Sequence, residues 1–582
     1  NEPADTRDID PEYDFIIVGA GTAGCALAAR LSELKDNTVL LIEAGGPEEF
    51  MMDIPMMAPN LQGSPADWAY MSEPDGRCCT GQPGGRCFYP RGKVMGGSSV
   101  LNFMIYSRGH KKDYDRWAEA GCKGWSYKEV LPYFKKLENF KIDEYFDPEE
   151  NGKGGPVHVE LSPYETPIAK EISKGFLNLG YKYGNVNKAD NKGFSRMPAT
   201  LKHGTRHSSS RAYLHPIANK RPNLHVKKNS LVTKILINKK TKTAYGVQFL
   251  NNGITRRVLA RKEVIVSGGA MNSPQLLMLS GIGPAHHLRS LGIPVIQNSS
   301  VGYNLQDHIA LGGLIFVTEG SSTTTPLDLI RNDTIITEYF NHHTGPLSVP
   351  GGCEVIGLID PDKDGIPKVE LLVVSQQIMM NFFLNTPIAA FLEPYLATSI
   401  WLCLPMVLKP YSRGRIKLKS KNPLDYPLIE PNYFADERDL ATMVQAGRRM
   451  LEINDSPVMK RIKSRLLRLP LPACEPFPIR SDEYLACLSR EMTFNIYHQS
   501  GTCRMGPASD PTSVVDPRLR VIGVKNLRVI DVSIMHEIPS GHTNGPTYMV
   551  AEKGADMIKE DWGYPIPRNG NWAYNPIDEH KT

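Results

Sequence analysis

Residues 13–43 read YDFIIVGAGTAGCALAARLSELKDNTVLLIE, and this stretch decides the fold. Residues 13–18 are mostly apolar or β-branched, the composition of a strand buried on both faces. They run into Gly19-Ala20-Gly21-Thr22-Ala23-Gly24 and then an Ala/Leu-rich segment to about Leu34, which predicts a helix. Residues 38–42 predict a second strand, with Glu43 at its end. Strand, glycine turn, helix and strand make a βαβ unit and imply a parallel sheet. Gly19 permits the tight turn, Gly21 lets backbone approach a pyrophosphate, and Gly24 lets helix and strand pack closely. Thr22 and Ala23 open the helix, whose N-terminus stabilises phosphate charge. Glu43 is placed to accept from ribose hydroxyls and would repel the extra phosphate of NADP. A dinucleotide is expected; the fingerprint alone leaves FAD and NAD both open.

Two further passages extend this sheet. Residues 263–267 predict a strand that leads through Gly268-Gly269-Ala270 into a helix over 274–279. Residues 527–531 predict another, followed by a helix from about Gly545 to Lys559. The fold class is therefore an α/β doubly wound, Rossmann-like FAD-binding or NAD-binding domain. A discontinuous α+β substrate-binding domain with an antiparallel sheet accompanies it, with strands such as residues 415–419. The expected boundaries are 12–154, 221–319 and 481–565 for the dinucleotide domain, 155–220 and 320–480 for the substrate domain, and 566–582 as a tail.

Composition limits the function classes. The 582 residues are 41% hydrophobic and 22% charged, which excludes wholesale disorder. Lys and Arg number 67 against 62 Asp and Glu, a formal +5 too mild and too evenly spread for a nucleic-acid partner. The most apolar stretch, residues 378–408, is broken by Asn381, Asn385, Pro387, Glu393, Pro394 and Pro405, so no membrane span is expected. The ten Cys contain no CxxC pair and no zinc spacing, so no metal is expected. Cys79 and Cys87 bracket a Gly/Pro loop, and Cys474 and Cys487 bracket a Pro-rich turn; both pairs are expected to be disulfides. With sequons at Asn298, Asn332 and Asn454 and a polar opening segment that lacks Met, the expectation is a secreted glycoprotein.

A second glycine segment, RGKVMGGSSVLN at 91–102, offers successive backbone N–H groups for a second phosphate or a flavin edge. From here the chain resembles the GMC (glucose–methanol–choline) oxidoreductase family. The resemblance is carried by the fingerprint, RGKVMGGSSVLNFMIYSRG (91–109), SGGAMNSPQLLMLSGIG (267–283), VGYNLQDH (301–308), YHQSGTCRMG (497–506) and DVSIMHEIPSGHTNGPTYMVAEKGADMI (531–558). The Cys79/Cys87 loop and GWSYKEVLPYFKKLE (124–138) look most like its insect branch, which includes secreted glucose dehydrogenases and aryl and terpenoid alcohol oxidases. The resemblance implies FAD, with Arg91, Gly96, Gly97, Ser98 and Asn102 lining the pyrophosphate and isoalloxazine. It implies that Val232 reaches the adenine through its backbone, and that Asp531, Asn544 and Thr547 close over the ribityl chain and flavin. Members with covalent flavin carry a His immediately before the Asn of this segment. Here Leu101 stands there, which implies non-covalent FAD.

Oxidising an alcohol removes a hydroxyl proton and moves a hydride, and histidine is suited to the proton because its ordinary pKa lies near 6.5. By resemblance His498 is the base and His542 holds the substrate oxygen, a place that Asn fills in many relatives. The expected reaction takes a primary alcohol to its aldehyde, with oxygen as acceptor. The runner-up is a sugar dehydrogenase using a quinone; a cyanohydrin lyase on the same fold and a flavin-binding protein without turnover come after it. For the substrate pocket the expected lining is Phe103 and Met104, with Met380 and Phe382 from the apolar stretch, joined by Phe391, Tyr395 and Trp401. Such a lining suits a flat aromatic or terpenoid alcohol. A sugar would instead require a hydrogen-bond partner for each hydroxyl.

Overall fold

The computed structural model describes residues 2–320, 323–376 and 387–566. The apolar run at the start becomes the strand Glu12–Val18, buried at six of seven positions. It pairs in parallel with Val39–Ile42 on one side and with Ile254–Val266 on the other. Leu224–Lys227 extends the sheet beyond Val39–Ile42, again in parallel. The long strand Ile254–Val266 serves two neighbours: its first half pairs antiparallel with Thr243–Asn251, while Val264–Val266 pair in parallel with Leu527–Val529. Ser230–Asn238 completes the meander. The helix Thr22–Leu31 packs against the C-terminal helix Asn544–Asp561. Arg30 in the first donates from Nε to both carboxylate oxygens of Glu552 in the second, at 2.9 and 3.0 Å.

The middle helix corrects the expectation. It runs Gly269–Leu279, five residues earlier than the predicted start, with Pro274 inside it. Pro274 has no N–H for the carbonyl of Ala270. Thr502 Oγ1 donates to that carbonyl instead, at 2.8 Å, so the proline leaves no orphan and the helix can begin before it.

The second sheet is antiparallel throughout, in the order Arg465–Leu466, Leu314–Val317, Ile400–Val407, Val369–Val374, Cys353–Ile359 and Gly193–Arg196. Ile309–Leu311 joins it between Ile400–Val407 and Thr493–Asn495. Residues 309–317 and 493–495, allotted to the dinucleotide domain on sequence, therefore sit in this sheet. The predicted strand at 415–419 does not: Arg415–Lys417 pairs only with Leu428–Glu430, and Ile416 N donates to Gly302 O at 2.7 Å. Trp401, expected in the substrate pocket, is core, stacked on Phe316 at 4.2 Å.

Both predicted disulfides are present, Cys79–Cys87 and Cys474–Cys487. Asn298 and Asn332 are exposed. Asn454 is buried, and its amide exchanges hydrogen bonds with Ser464, so this sequon cannot carry a glycan on the folded chain. Among the described residues no helix is long and apolar enough to cross a membrane. Met380, Phe382 and residues 567–582 of the predicted tail lie outside the described residues.

Candidate active site

One cavity is lined both by the two glycine segments and by the two histidines. Two glycines explain its shape. A Cβ on Gly21 would meet no atom within 4 Å and would project into open space, whereas a Cβ on Gly97 would come within 2.6 Å of Gly21 Cα. The two segments thus close on each other, and the room beside Gly21 suits a pyrophosphate. Thr22, Ala23, Glu43, Arg91, Ser98, Asn102, Val232, Asp531, Asn544 and Thr547 all reach this cavity. Gly24 does not: it packs on the fingerprint turn, where a Cβ would fall 1.8 Å from Gly19 O. Gly96 does not either; its N–H donates to Ala20 O at 2.8 Å and its role is to join the segments.

The donors fit a dinucleotide. Asn544 accepts from Thr22 Oγ1 at 2.8 Å through Oδ1, while its Nδ2 is buried without a partner among the described residues. An orphan donor at the N-terminus of the helix Asn544–Asp561 is what an anionic or carbonyl-bearing ligand would satisfy. Glu43 accepts from Ala20 N at 2.7 Å and Gly45 N at 2.8 Å, and burial pushes its carboxyl up to about 7. Arg91 donates from Nη1 to Tyr497 O at 2.7 Å and Gln499 Oε1 at 3.1 Å, and burial lowers its pKa. Asp531 anchors the neighbouring helix, accepting from Gly269 N at 2.8 Å, Ser273 Oγ at 2.5 Å and Ser533 N at 2.7 Å.

The histidines meet edge to face, with ring centroids 4.5 Å apart. His498 Nδ1 lies 2.9 Å from His308 Nδ1, and His308 Nε2 lies 3.0 Å from the carbonyl of Leu408. A carbonyl can only accept, so His308 carries its proton on Nε2. Burial first, then the neighbouring His542 and Lys409, hold His308 down at about 3, so it is neutral and its Nδ1 accepts. His498 must then donate from Nδ1, which leaves its Nε2 as a bare lone pair with no partner among the described residues. Burial, then His542 and His308, keep His498 well below its usual pKa and neutral. Asp307 fixes the backbone here, accepting from His498 N at 3.0 Å and Gln499 Nε2 at 2.7 Å, and burial pushes its carboxyl up to about 7.

His542 Nε2 lies 2.8 Å from Glu370 Oε1, so a proton sits between them. A neutral ring donating to a carboxylate would leave an uncompensated charge on a fully buried group whose Oε2 has no partner among the described residues, which is strongly destabilising. The two arrangements without net charge are imidazolium with carboxylate, or neutral ring with carboxylic acid. In both, Nδ1 of His542 bears a proton and has no partner among the described residues. The site therefore offers one acceptor, His498 Nε2, beside one donor, His542 Nδ1.

Sequence reasoning missed His308 and Glu370. His308 lies in the VGYNLQDH block without an assigned role. Glu370 has a signal of its own, the single carboxylate inside the apolar strand Val369–Val374, where it is fully buried. The lining also includes the mostly apolar side chains Phe103, Ile105, Leu372, Leu404, Phe494, Ile496 and Tyr497, alongside polar ones such as Gln62, Asn272, Gln275 and Thr543. Phe103 is where expected. Met104 is not, because a φ of 57° turns it into the hydrophobic core, where it is fully buried. Leu404 is the described residue of the apolar stretch that lines the cavity; Phe391 and Tyr395 pack on the core instead.

A family model described as GMC oxidoreductase matches residues 13–310 in its N-terminal part and 410–551 in its C-terminal part. A glucose dehydrogenase [FAD, quinone] of Drosophila pseudoobscura pseudoobscura is 39% identical over 575 residues, 98% of this chain and 90% of that protein. An alcohol dehydrogenase [acceptor] of Pseudomonas putida is 36% identical over 564 residues, 94% of this chain and 95% of that protein. Among solved structures, a formate oxidase of Aspergillus oryzae superposes with a TM-score of 0.82 at 28% identity, covering 95% of this chain and 99% of that one.

Proposed function

The chain belongs to the GMC oxidoreductase family and is an FAD-dependent enzyme acting on CH–OH donors; from that premise we propose that it oxidises a flat, apolar primary alcohol to its aldehyde. The observation that carries the reading is a single acceptor–donor pair of histidine nitrogens in a cavity that also presents the apolar side chains Phe103, Ile105, Leu372, Leu404 and Ile496. FAD supplies the acceptor for the substrate hydride when bound. The chain's own part is to bind, orient and take the proton. His498 Nε2 accepts the hydroxyl proton, while His542 Nδ1–H donates to the same oxygen and holds the alcohol in one orientation. Glu370 holds the proton that keeps His542 a donor, and His308 holds the tautomer that keeps His498 an acceptor. Burial keeps His498 neutral and ready to accept, and the apolar wall excludes competing water.

The residues lining the cavity support non-covalent cofactor binding: Leu101, at the position where a tethering His stands in other members, has no nucleophile. Acid precipitation should therefore leave FAD in the supernatant. The two disulfides support an extracellular setting, with Asn298 and Asn332 as available glycan acceptors.

A sugar dehydrogenase with a quinone acceptor is the second reading, favoured by the activity for which the 39%-identical relative is named. The wall argues against it: Phe103, Ile105, Leu372, Leu404 and Ile496 offer no partner to sugar hydroxyls, each of which costs about 1–3 kcal/mol if buried unpaired. Initial rates on a salicyl-type alcohol, a terpenoid primary alcohol and glucose separate the readings. Higher kcat/KM for the first two is expected. A clear preference for glucose would overturn the substrate assignment. Oxygen is the proposed acceptor, and the same assays run in air and then anaerobically with an added quinone decide it.

A further inference from the structure

Arg206 is a cation in an unusual place. It is 1% exposed, and among the described residues no carboxylate lies within 4.0 Å of it. The acids nearest in charge, Glu48 and Asp53, are bound by Arg211 instead, at 3.2 and 2.5 Å. Among the described residues its side chain bonds only Met52 and the segment Ser99–Asn102, whose last residue lines the cavity. Nε donates to Met52 O at 2.8 Å; Nη1 donates to Ser99 O at 3.0 Å, Asn102 O at 2.8 Å and Asn102 Oδ1 at 3.0 Å. Nη2 is buried with no partner among the described residues. Burial pulls its pKa down to about 10, so it is still charged at neutral pH.

A buried guanidinium without a carboxylate is destabilising, and an apolar side chain of similar size would avoid that cost. What Arg206 accomplishes is local. Asn102 lines the cavity at the end of the one-turn helix Ser98–Leu101, and its Oδ1 accepts from both Met104 N, at 3.0 Å, and Arg206. With both positions on that oxygen filled, the amide cannot flip, and its Nδ2 donor end is the one left for the cavity. A fixed donor backed by a buried cation stabilises negative charge arriving on a ligand in front of it.

We propose that Arg206 is a positioning residue that locks Asn102 as a hydrogen-bond donor to the bound flavin and raises the flavin's reduction potential. The proposal rests on the placement of Asn102 beside the flavin. It predicts that the chain's appetite for the substrate hydride is set partly from behind the cavity wall, by a residue that touches neither substrate nor cofactor.

The test uses FAD-loaded protein and reads midpoint potential and sulfite affinity, neither of which depends on turnover. Arg206→Met should lower the potential by at least about 30 mV, a tenfold change for a two-electron couple, and weaken sulfite binding at least tenfold. Arg206→Lys, which keeps charge but not the fork, should lie between that variant and the parent. Should Arg206→Met fail to load FAD, Arg206→Gln is read in the same way, with its potential expected below that of Arg206→Lys. Asn102→Ala tests the underlying placement. An unchanged flavin spectrum and potential in Asn102→Ala means that Asn102 is not beside the flavin and removes the basis of the proposal. A shift in Asn102→Ala with no shift in loaded Arg206→Met or Arg206→Gln overturns the role of Arg206 alone.

Discussion

His498 owes its chemistry to its burial and two neighbours rather than to its own ring. Burial and the nearby His542 and His308 hold it neutral, and His308 decides which of its nitrogens is bare. His498→Ala should therefore keep FAD but lose roughly 10²–10⁴ in the rate of flavin reduction, the usual contribution of a positioned base. Stopped-flow reduction at the parent's rate would reject it as the base. The pH sign follows from the direction of the shift. Protonation removes the base only as pH falls through a pKa displaced below 6.5, so kcat/KM should hold through pH 6.5 and decline at lower pH. A decline centred at 6.5 or above would contradict the buried, neutral base. His308→Leu leaves the His498 Nδ1–H buried without an acceptor, a loss of about 1–3 kcal/mol or roughly 5- to 150-fold in reduction rate. His308→Gln, whose carbonyl can accept, should recover part of it; equal rates for both variants would mean that the tautomer is set elsewhere. At this scale the sequence exposes His498 and His542, because each sits in a recognisable motif. Glu370 stands out as a lone carboxylate in an apolar strand, but its role stays hidden because its contact with His542 spans 172 positions, and no local pattern encodes such a pairing.

Among the elements, the helix Gly269–Leu279 shows how a local rule yields to a distant side chain. Proline ordinarily marks a boundary, so the sequence points to a start at Pro274. The hydroxyl of Thr502, 232 positions away, replaces the missing donor to Ala270 O. Thr502→Val should cost about 1–3 kcal/mol in chemical denaturation, the penalty of a buried unsatisfied acceptor. In the background Pro274→Ala, residue 274 regains an N–H for Ala270 O, so the same Thr502→Val change should cost clearly less. Equal costs in the two backgrounds would show that the hydroxyl and the proline are not coupled. The βαβ unit, by contrast, is legible in full, since strand period, glycine turn and helix all lie within one continuous stretch. Residues 415–419 mislead for the opposite reason. Their alternation is real, but pairing partners are chosen in three dimensions, and these residues join a small ribbon with Leu428–Glu430.

Across the whole molecule, the cavity that holds the proposed catalytic pair draws its lining from both sheets, Val18 and Ile42 from one and Leu372 and Leu404 from the other. The antiparallel sheet contributes Glu370 directly, and its edge strand Thr493–Asn495 leads straight into His498. Domain limits drawn from sequence cut through this arrangement because strands 309–317 and 493–495 cross over into the second sheet, which hydrophobic pattern alone does not reveal. The two disulfides stand at the same junction. Cys487 lies in the helix Asp482–Glu491 that precedes the edge strand, while Cys79 N donates to Thr493 Oγ1 at 3.1 Å and Gly81 N donates to Glu491 O. One bridge thus fastens the middle of this helix, and the loop closed by the other bonds its C-terminal end. The other six cysteines are buried thiols, and burial raises the pKa of Cys25, Cys78, Cys122, Cys353, Cys403 and Cys503, which makes them poor partners for exchange. Non-reducing mass mapping of the native protein should therefore find the two bridges and six alkylatable thiols only after unfolding. Four free thiols at the bridge positions would remove both bridges and most of the support for secretion. Closing loops of 8 and 13 positions stabilises by about 2.6 and about 3 kcal/mol in the chain-entropy account. Because both bridges act on one helix, replacing each pair by Ser should not give additive losses. Denaturation of the two double-serine variants and the quadruple one should show a coupling of at least about 0.5 kcal/mol. Strict additivity would mean that the bridges staple separate regions and that the segment carrying His498 is held by packing alone.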